Sequence, residues 1–349
     1  MLAPVPEAPT DHQALTGRVP EVDRERLLAD LVPPPRFEGE RFSTYRPAPD
    51  QPTQSAAVER LQAYAESLAR PRGSRWSLRR RPQAARGIYL DGGFGVGKTH
   101  LLAALWHEAP APKAFGTFVG FTNLVGALGF GQAVEALRGH RLVCIDEFEL
   151  DDPGDTVLMS TLLTRLSDAG VSLAATSNTL PDALGEGRFA AEDFLREIQR
   201  LAARFEVLTI DGPDYRHRGL APSPPPPADD VVDRSVRSLG GAVDDFPALL
   251  RHLARIHPSH YGALLDGVPA VGWHAVAAVD DQNVALRLVS LADRLYDRDV
   301  PVFAAGAPLD QLFTPDLLAG GYRKKYYRAI SRLTALAREA AGEVAHGQG

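Results

Sequence analysis

Eight consecutive residues constrain this chain more than any others: Gly92-Gly93-Phe94-Gly95-Val96-Gly97-Lys98-Thr99. They fit G-x-x-x-x-G-K-[ST] without a departure, a pattern that joins a buried strand to a helix through a glycine-rich turn. The glycines let the backbone curl until its N–H groups converge on one point. The flanks supply the right context. Residues 87–91 (GIYLD) predict a strand, and Thr99–Glu108 a helix burying Leu101, Leu102, Leu105 and Trp106. Such a loop holds phosphate, because converging N–H groups and the positive end of the helix dipole both favour an anion. Lys98 is expected at the β and γ phosphates, and the Thr99 hydroxyl on Mg²⁺. The nucleotide set is therefore Gly92 to Thr99 with the adjoining His100, and the implied ligand is MgATP.

Lysine occurs only at Lys98, Lys113, Lys324 and Lys325, arginine supplying nearly all other positive charge. A chain so biased towards arginine keeps lysine where a compact point charge is needed, which sharpens the reading of Lys98.

A second segment completes the chemistry. Leu142-Val143-Cys144-Ile145 is a buried strand that ends in Asp146-Glu147. In open α/β sheets the carboxyl ends of the strands face the ligand. Asp146 is expected to hold the Mg²⁺ hydration shell. Glu147 is expected to orient or deprotonate the attacking water. The strand Val171–Thr176 leads to Asn178, a polar side chain able to bond the γ-phosphate or the water. Phosphoryl transfer also gains from an arginine finger. The candidates are Arg188, in Gly-Glu-Gly-Arg-Phe (185–189), and Arg204, just before the strand Phe205–Asp211; Arg216 and Arg218 are weaker ones.

Strands and helices alternate across the core. A strand is expected at Ala114–Val119, then a helical stretch towards Arg138. Asp155–Ala169 is expected as an amphipathic helix with Leu158, Leu162 and Leu166 inward, and Glu192–Arg204 as a further helix. That alternation calls for a parallel sheet with helices on both faces. Residues 1–50, rich in Pro and charge, read as an extended arm, and residues 51–218 as the nucleotide-binding core. Residues 219–235 carry four consecutive prolines, Pro224 to Pro227, and read as a linker or exposed loop. Residues 236–345 form a smaller α/β region with strands at Val268–Trp273 and Val300–Ala304 and helices at Gln282–Asp297 and Tyr322–Ala340. Asp280 and Asp281 read as helix-entry residues.

Composition narrows the classes. With 349 residues, 44% of them hydrophobic and 23% charged, the chain can bury more than one core. A net charge of −6 disfavours nucleic acid as the main partner. The lone Cys144 excludes an intrachain disulfide. The spacing of His252, His257 and His260 is set by a helix that ends before Pro258, and with no Cys nearby they read as surface histidines rather than metal ligands. The first residues have neither a basic start nor an apolar run, and no segment approaches the roughly 20 apolar residues of a membrane helix, so a cytoplasmic protein is expected.

Three segments together resemble one family: PPPRFEGERFSTYRPAPDQPTQSAAVERL, VCIDEFELDDPGDTVLMSTLLTRLSDAGVSLAATSNTLPDAL, and EVLTIDGPDYRHR. They are similar to the ZapE cell-division ATPases, bacterial relatives of the Afg-type (lactation-elevated) mitochondrial ATPases of the AAA+ class. Asp146-Glu147-Phe148 with Asp152-Pro153-Gly154-Asp155 is the most specific part, and Ser331-Arg332-Leu333 matches the closing helix. The resemblance implies a P-loop core with strand order 5-1-4-3-2, a C-terminal lid region, and ATP sites shared between subunits of a ring, a hexamer when ATP is bound. It implies Asn178 as the first sensor, Arg188 as the finger and Gln54 near the adenine, while Arg204 resembles the arginine of initiator-type relatives. It further implies a client protein of the division machinery and leaves room for peripheral membrane contact. GVGKTHLLAAL and ATSN also suit a DNA-associated helicase-loader or transposition-helper ATPase, the competing reading. The chain departs from the family in Val96, where arginine is common, and in its polyproline segment.

Overall fold

The computed structural model describes residues 14–22, 24–69, 87–93, 95–148, 153–179, 199, 202–212 and 223–346. The chain divides into two compact units, residues 23–219 and residues 1–22 together with 220–349.

In the first unit α1 (Arg24–Ala29) and α2 (Pro52–Ala69) precede β1 (Gly87–Gly92) and α3 (Lys98–Glu108). Then come β2 (Lys113–Thr117), α4 (Phe118–Leu128), α5 (Phe130–Leu137), β3 (Leu142–Asp146), α6 (Pro153–Asp168), β4 (Ser172–Ser177) and β5 (Phe205–Ile210). The five strands are all parallel, in the order β2-β3-β4-β1-β5. This is the 5-1-4-3-2 order expected of an AAA+ core.

The alternation of side chains along a strand builds two cores from one sheet. Ile88, Leu90, Leu142, Cys144 and Ala174 face α2 and α3. Tyr89, Val143, Ile145, Leu173 and Ala175 face α4, α5 and α6. Each strand is thus apolar on both sides, the pattern of a parallel sheet covered by helices.

Local signals explain the departures from expectation. The strand read to Val119 stops at Thr117, because the Thr117 hydroxyl accepts from the Gly120 N–H at 3.0 Å and caps α4. The single helical stretch towards Arg138 is two helices broken at Gly129, whose φ is 80°. The helix expected at Glu192–Arg204 falls mostly outside the described residues, as does the basic loop around Trp76.

The second unit holds α7 (Asp229–Ser238), β6 (Ala242–Asp245), α8 (Phe246–Leu253), α9 (Tyr261–Leu264), β7 (Val271–Val276), α10 (Gln282–Asp297), β8 (Val302–Gly306), α11 (Pro315–Ala319) and α12 (Arg323–His346). Its parallel sheet runs β6-β7-β8. One face carries the larger core, with Trp273, Phe246, Leu288 and Leu333 fully buried. The other is covered by α7, where an added Cβ on Gly272 would meet Val232 at 2.7 Å. Residues 15–18 belong to this unit. Leu15 is buried in its core, and the Asp244 carboxylate accepts from the Leu15 and Thr16 N–H groups at 2.9 Å each. Among the described residues no helix is long and apolar enough to cross a membrane.

Candidate active site

The parity of each strand determines what gathers at the carboxyl edge of the large sheet. Asp146 follows Leu142 and Cys144 on the α3 face, so its carboxylate emerges towards the first turn of α3. There the Thr99 hydroxyl donates to it, with oxygens 3.1 and 3.2 Å away. Lys98 is buried by the glycine loop, and its ammonium donates to the carbonyls of Gly92 and Gly93 at 2.7 and 2.6 Å and to Asn178 Oδ1 at 2.8 Å. Lys98, Thr99, Asp146, Glu147 and Asn178 therefore come together at the ends of β1, β3 and β4, although they span 81 positions of sequence.

The loop is clamped from outside. Gly97 has φ 88°, a left-handed conformation that favours glycine, and a Cβ there would stand 2.5 Å from the Tyr45 ring. Tyr45 donates its hydroxyl to the Val96 carbonyl at 2.7 Å. Burial pushes its phenol above the ordinary value, which keeps it a donor. His100 bonds Glu40 (3.2 Å) and the Arg41 carbonyl (2.9 Å), securing residues 40–45 against α3. Gln54 is buried, accepting from the Ala48 N–H at 2.8 Å and donating to the Asp211 carbonyl at 2.7 Å. Both its amide ends are thus used to bind two chain segments together.

Glu147 sits at the turn out of β3 with φ 52°, an uncommon conformation for a residue with a side chain. Two hydrogen bonds hold it there: Glu147 N–H to the Thr176 hydroxyl at 3.0 Å, and Phe148 N–H to the Thr176 carbonyl at 2.7 Å. The buried Phe148 ring packs edge-on against Phe118 and Tyr89. Cys144 lies in the same strand, fully buried, and burial holds its thiol protonated and inert.

One expected residue lies elsewhere. Arg204 precedes β5, at the opposite edge of the sheet from the loop: β5 pairs Phe205 with Gly87 and Ile210 with Gly92. Its guanidinium bonds Asp168 at 3.0 Å. Arg188 and Phe94 fall outside the described residues. The reading from sequence missed Thr176, Tyr45 and Gly212; a Cβ on Gly212 would meet Val96 at 2.8 Å. Thr176 becomes visible once β3 and β4 are paired, since Ile145 opposite Ala175 sets Asp146 level with Thr176.

The model of the AFG1-like ATPase family matches residues 21–232 and 221–341. The chain belongs to that family. The cell division protein ZapE of Escherichia coli K12 is 31% identical over 147 residues, covering 39% of this chain and 39% of ZapE. Lactation elevated protein 1 homolog B of Danio rerio is 24% identical over 298 residues, 69% of this chain and 59% of that protein. The match to ZapE thus spans about two fifths of its length. Among solved structures, DnaI is 17% identical with a TM-score of 0.39, covering 51% of this chain and 94% of that one; this overlap adds nothing to the sheet order above. The matched family is one of ATPases.

Proposed function

We propose that this AFG1-like chain hydrolyses MgATP in a ring of its own copies, a hexamer when ATP is bound, and uses the cycle to remodel a client protein, ZapE-like, in cell division. The observation that carries the reading is the convergence of Lys98, Thr99, Asp146, Glu147 and Asn178 at one sheet edge. The loop N–H groups and Lys98 bind the phosphates. The Thr99 hydroxyl and the Asp146 carboxylate, 3.1 Å apart, are the hard oxygen donors that suit Mg²⁺ beside a triphosphate. When bound, Mg²⁺ neutralises charge on the phosphate oxygens. Glu147 takes up or orients the proton of the attacking water, giving ADP and phosphate, and Asn178 couples Lys98 to that position.

By this reading residues 51–218 are the ATPase core, 236–345 a lid, and 1–50 an arm with residues 15–18 anchored on the lid; the linker read at 219–235 ends sooner than its sequence suggests, because α7 starts at Asp229 and packs on the small sheet. The nucleotide set is Gly92 to Thr99 with His100, and Gln54 lines the adenine side. Arg188 is the finger of first choice and Arg204 the second. The protein works in the cytoplasm, recruited to the division site or to the inner membrane face.

Glu147→Gln tests it. Nucleotide affinity should stay within about threefold of wild type while turnover falls about 100-fold or more. Turnover near the wild-type rate would remove Glu147 from its role. The ATP-locked protein should also retain its client in cells, and recovery of division proteins with it, over Lys98→Ala, is the expected result.

A further inference from the structure

Thr176 presents a buried hydroxyl between the two acidic residues of the site. Its Oγ1 donates to Asp146 Oδ1 at 2.5 Å and accepts from the Glu147 N–H at 3.0 Å. A hydroxyl has one proton to give, so the direction of this chain is fixed: Glu147 N–H to Thr176 to Asp146. The same residue accepts the Phe148 N–H on its carbonyl. Two residues further on, Asn178 receives the Lys98 ammonium. Thr176 is only 2% exposed, so water does not replace these bonds at no cost.

The consequence for each partner differs. Glu147 stands in the left-handed region and is held by the Thr176 hydroxyl on its own N–H and by the Thr176 carbonyl on the next. Asp146 has Oδ1 committed to Thr176, which sets the carboxylate rotation that leaves both oxygens within 3.2 Å of the Thr99 hydroxyl. We infer that Thr176 is a positioning residue for hydrolysis, aligning Glu147 with the water and Asp146 with the metal at once, without touching nucleotide. The inference rests on the MgATP reading of this site and adds the group that sets its alignment.

Such a residue acts on turnover and on the metal requirement more than on nucleotide affinity. Thr176→Val keeps the shape and removes both side-chain bonds; Thr176→Ser keeps the bonds and drops a methyl. With Thr176→Val, kcat should fall about 10- to 100-fold, the cost of misplacing a reacting group by about 1 Å. The Mg²⁺ concentration for half-maximal rate should rise severalfold, and ATP affinity should stay within about threefold. Thr176→Ser should return kcat to within about threefold of wild type. A Thr176→Val enzyme with kcat and Mg²⁺ requirement within twofold of wild type overturns the inference. So does a Ser variant as slow as the Val variant, which would mean that packing alone matters. Should the Val protein not fold, Thr176→Cys, close in volume to threonine with only a weak hydrogen-bonding group, replaces it under the same two criteria. Lys98→Ala and Glu147→Gln run alongside. If those two leave binding and turnover intact, the ATPase reading itself fails; if they behave as expected and Thr176→Val is silent, only the role of Thr176 does.

Discussion

Lys98 shows most directly how single residues carry the site. Its ammonium has three protons, and three uncharged oxygens, of Gly92, Gly93 and Asn178, accept from it within 2.8 Å. A charge so far removed from water is tolerated only with such bonds. A triphosphate exchanges neutral acceptors for anionic ones, which bond about twice as strongly. Lys98→Ala should therefore weaken ATP binding by about 100-fold or more, measured by titration calorimetry, with little change in melting temperature. Micromolar affinity in that variant contradicts the phosphate-loop assignment. Lys98, Thr99 and Asp146 were legible in the sequence because the loop fixes their spacing and an apolar run ending in Asp-Glu marks the strand end. Thr176 and Tyr45 were not. A threonine in VSLAATS reads as one more β-branched strand former, and a tyrosine 51 positions before Val96 has no spacing signature at all.

At the level of elements, caps and parity decide what sequence patterning can reveal. The helix Gln282–Asp297 matches its expected bounds, since Asp281 accepts from the Val284 N–H at 2.9 Å, as a helix-entry residue should. The strand Ala242–Asp245 was invisible, four residues ending in two acids and too short for an alternation to register. What joins α7 to β7 was equally hidden. His274 bonds Asp229 at 2.9 Å through Nδ1 and Asp233 at 3.0 Å through Nε2, one turn apart on α7, with Arg237 also reaching Asp233. The hydrogen bond to Asp229 raises the imidazole above its ordinary value; partial burial opposes it and Asp233 adds to it. A raised folded value means the protonated ring stabilises the folded protein. That contribution is complete below the ordinary value of 6.5 and disappears as pH rises through the folded one. Wild type should therefore melt higher than His274→Gln at pH 5.5, with the gap closing by pH 8 in paired thermal melts. A gap that widens with pH would show that the ring works neutral.

Across the whole molecule, the sheet that gathers Lys98, Thr99, Asp146 and Asn178 at one edge also separates them from Arg204. From the pairing of β5 with β1, Arg204 is level with the start of β1 while Gly92 is at its end, about five residues away. At about 3.3 Å per residue that is roughly 16 Å, more than an arginine side chain spans, so Arg204 cannot serve the phosphates of its own subunit. An arginine in that position acts, if it acts on ATP at all, on a neighbouring copy. Arg188, the first choice, rests on the segment Gly185-Glu186-Gly187-Arg188 alone. Mixing variants separates the two. A variant that has lost the finger keeps its own nucleotide loop and lacks only the group it lends; Lys98→Ala has lost the loop's lysine and keeps the finger. Neither should turn over ATP alone, and a mixture should regain activity only where the missing arginine is supplied across the subunit boundary. Arg188→Ala mixed with Lys98→Ala should recover a sizeable fraction of wild-type turnover, rising with the share of Lys98→Ala before falling as working loops become scarce. Arg204→Ala should keep much of its own activity, losing mainly the Asp168 bond of a half-exposed pair, which contributes little to stability. If Arg204→Ala is instead the inactive variant that mixing rescues, the finger is Arg204. If neither mixture exceeds the sum of its parts, each site is complete within one chain.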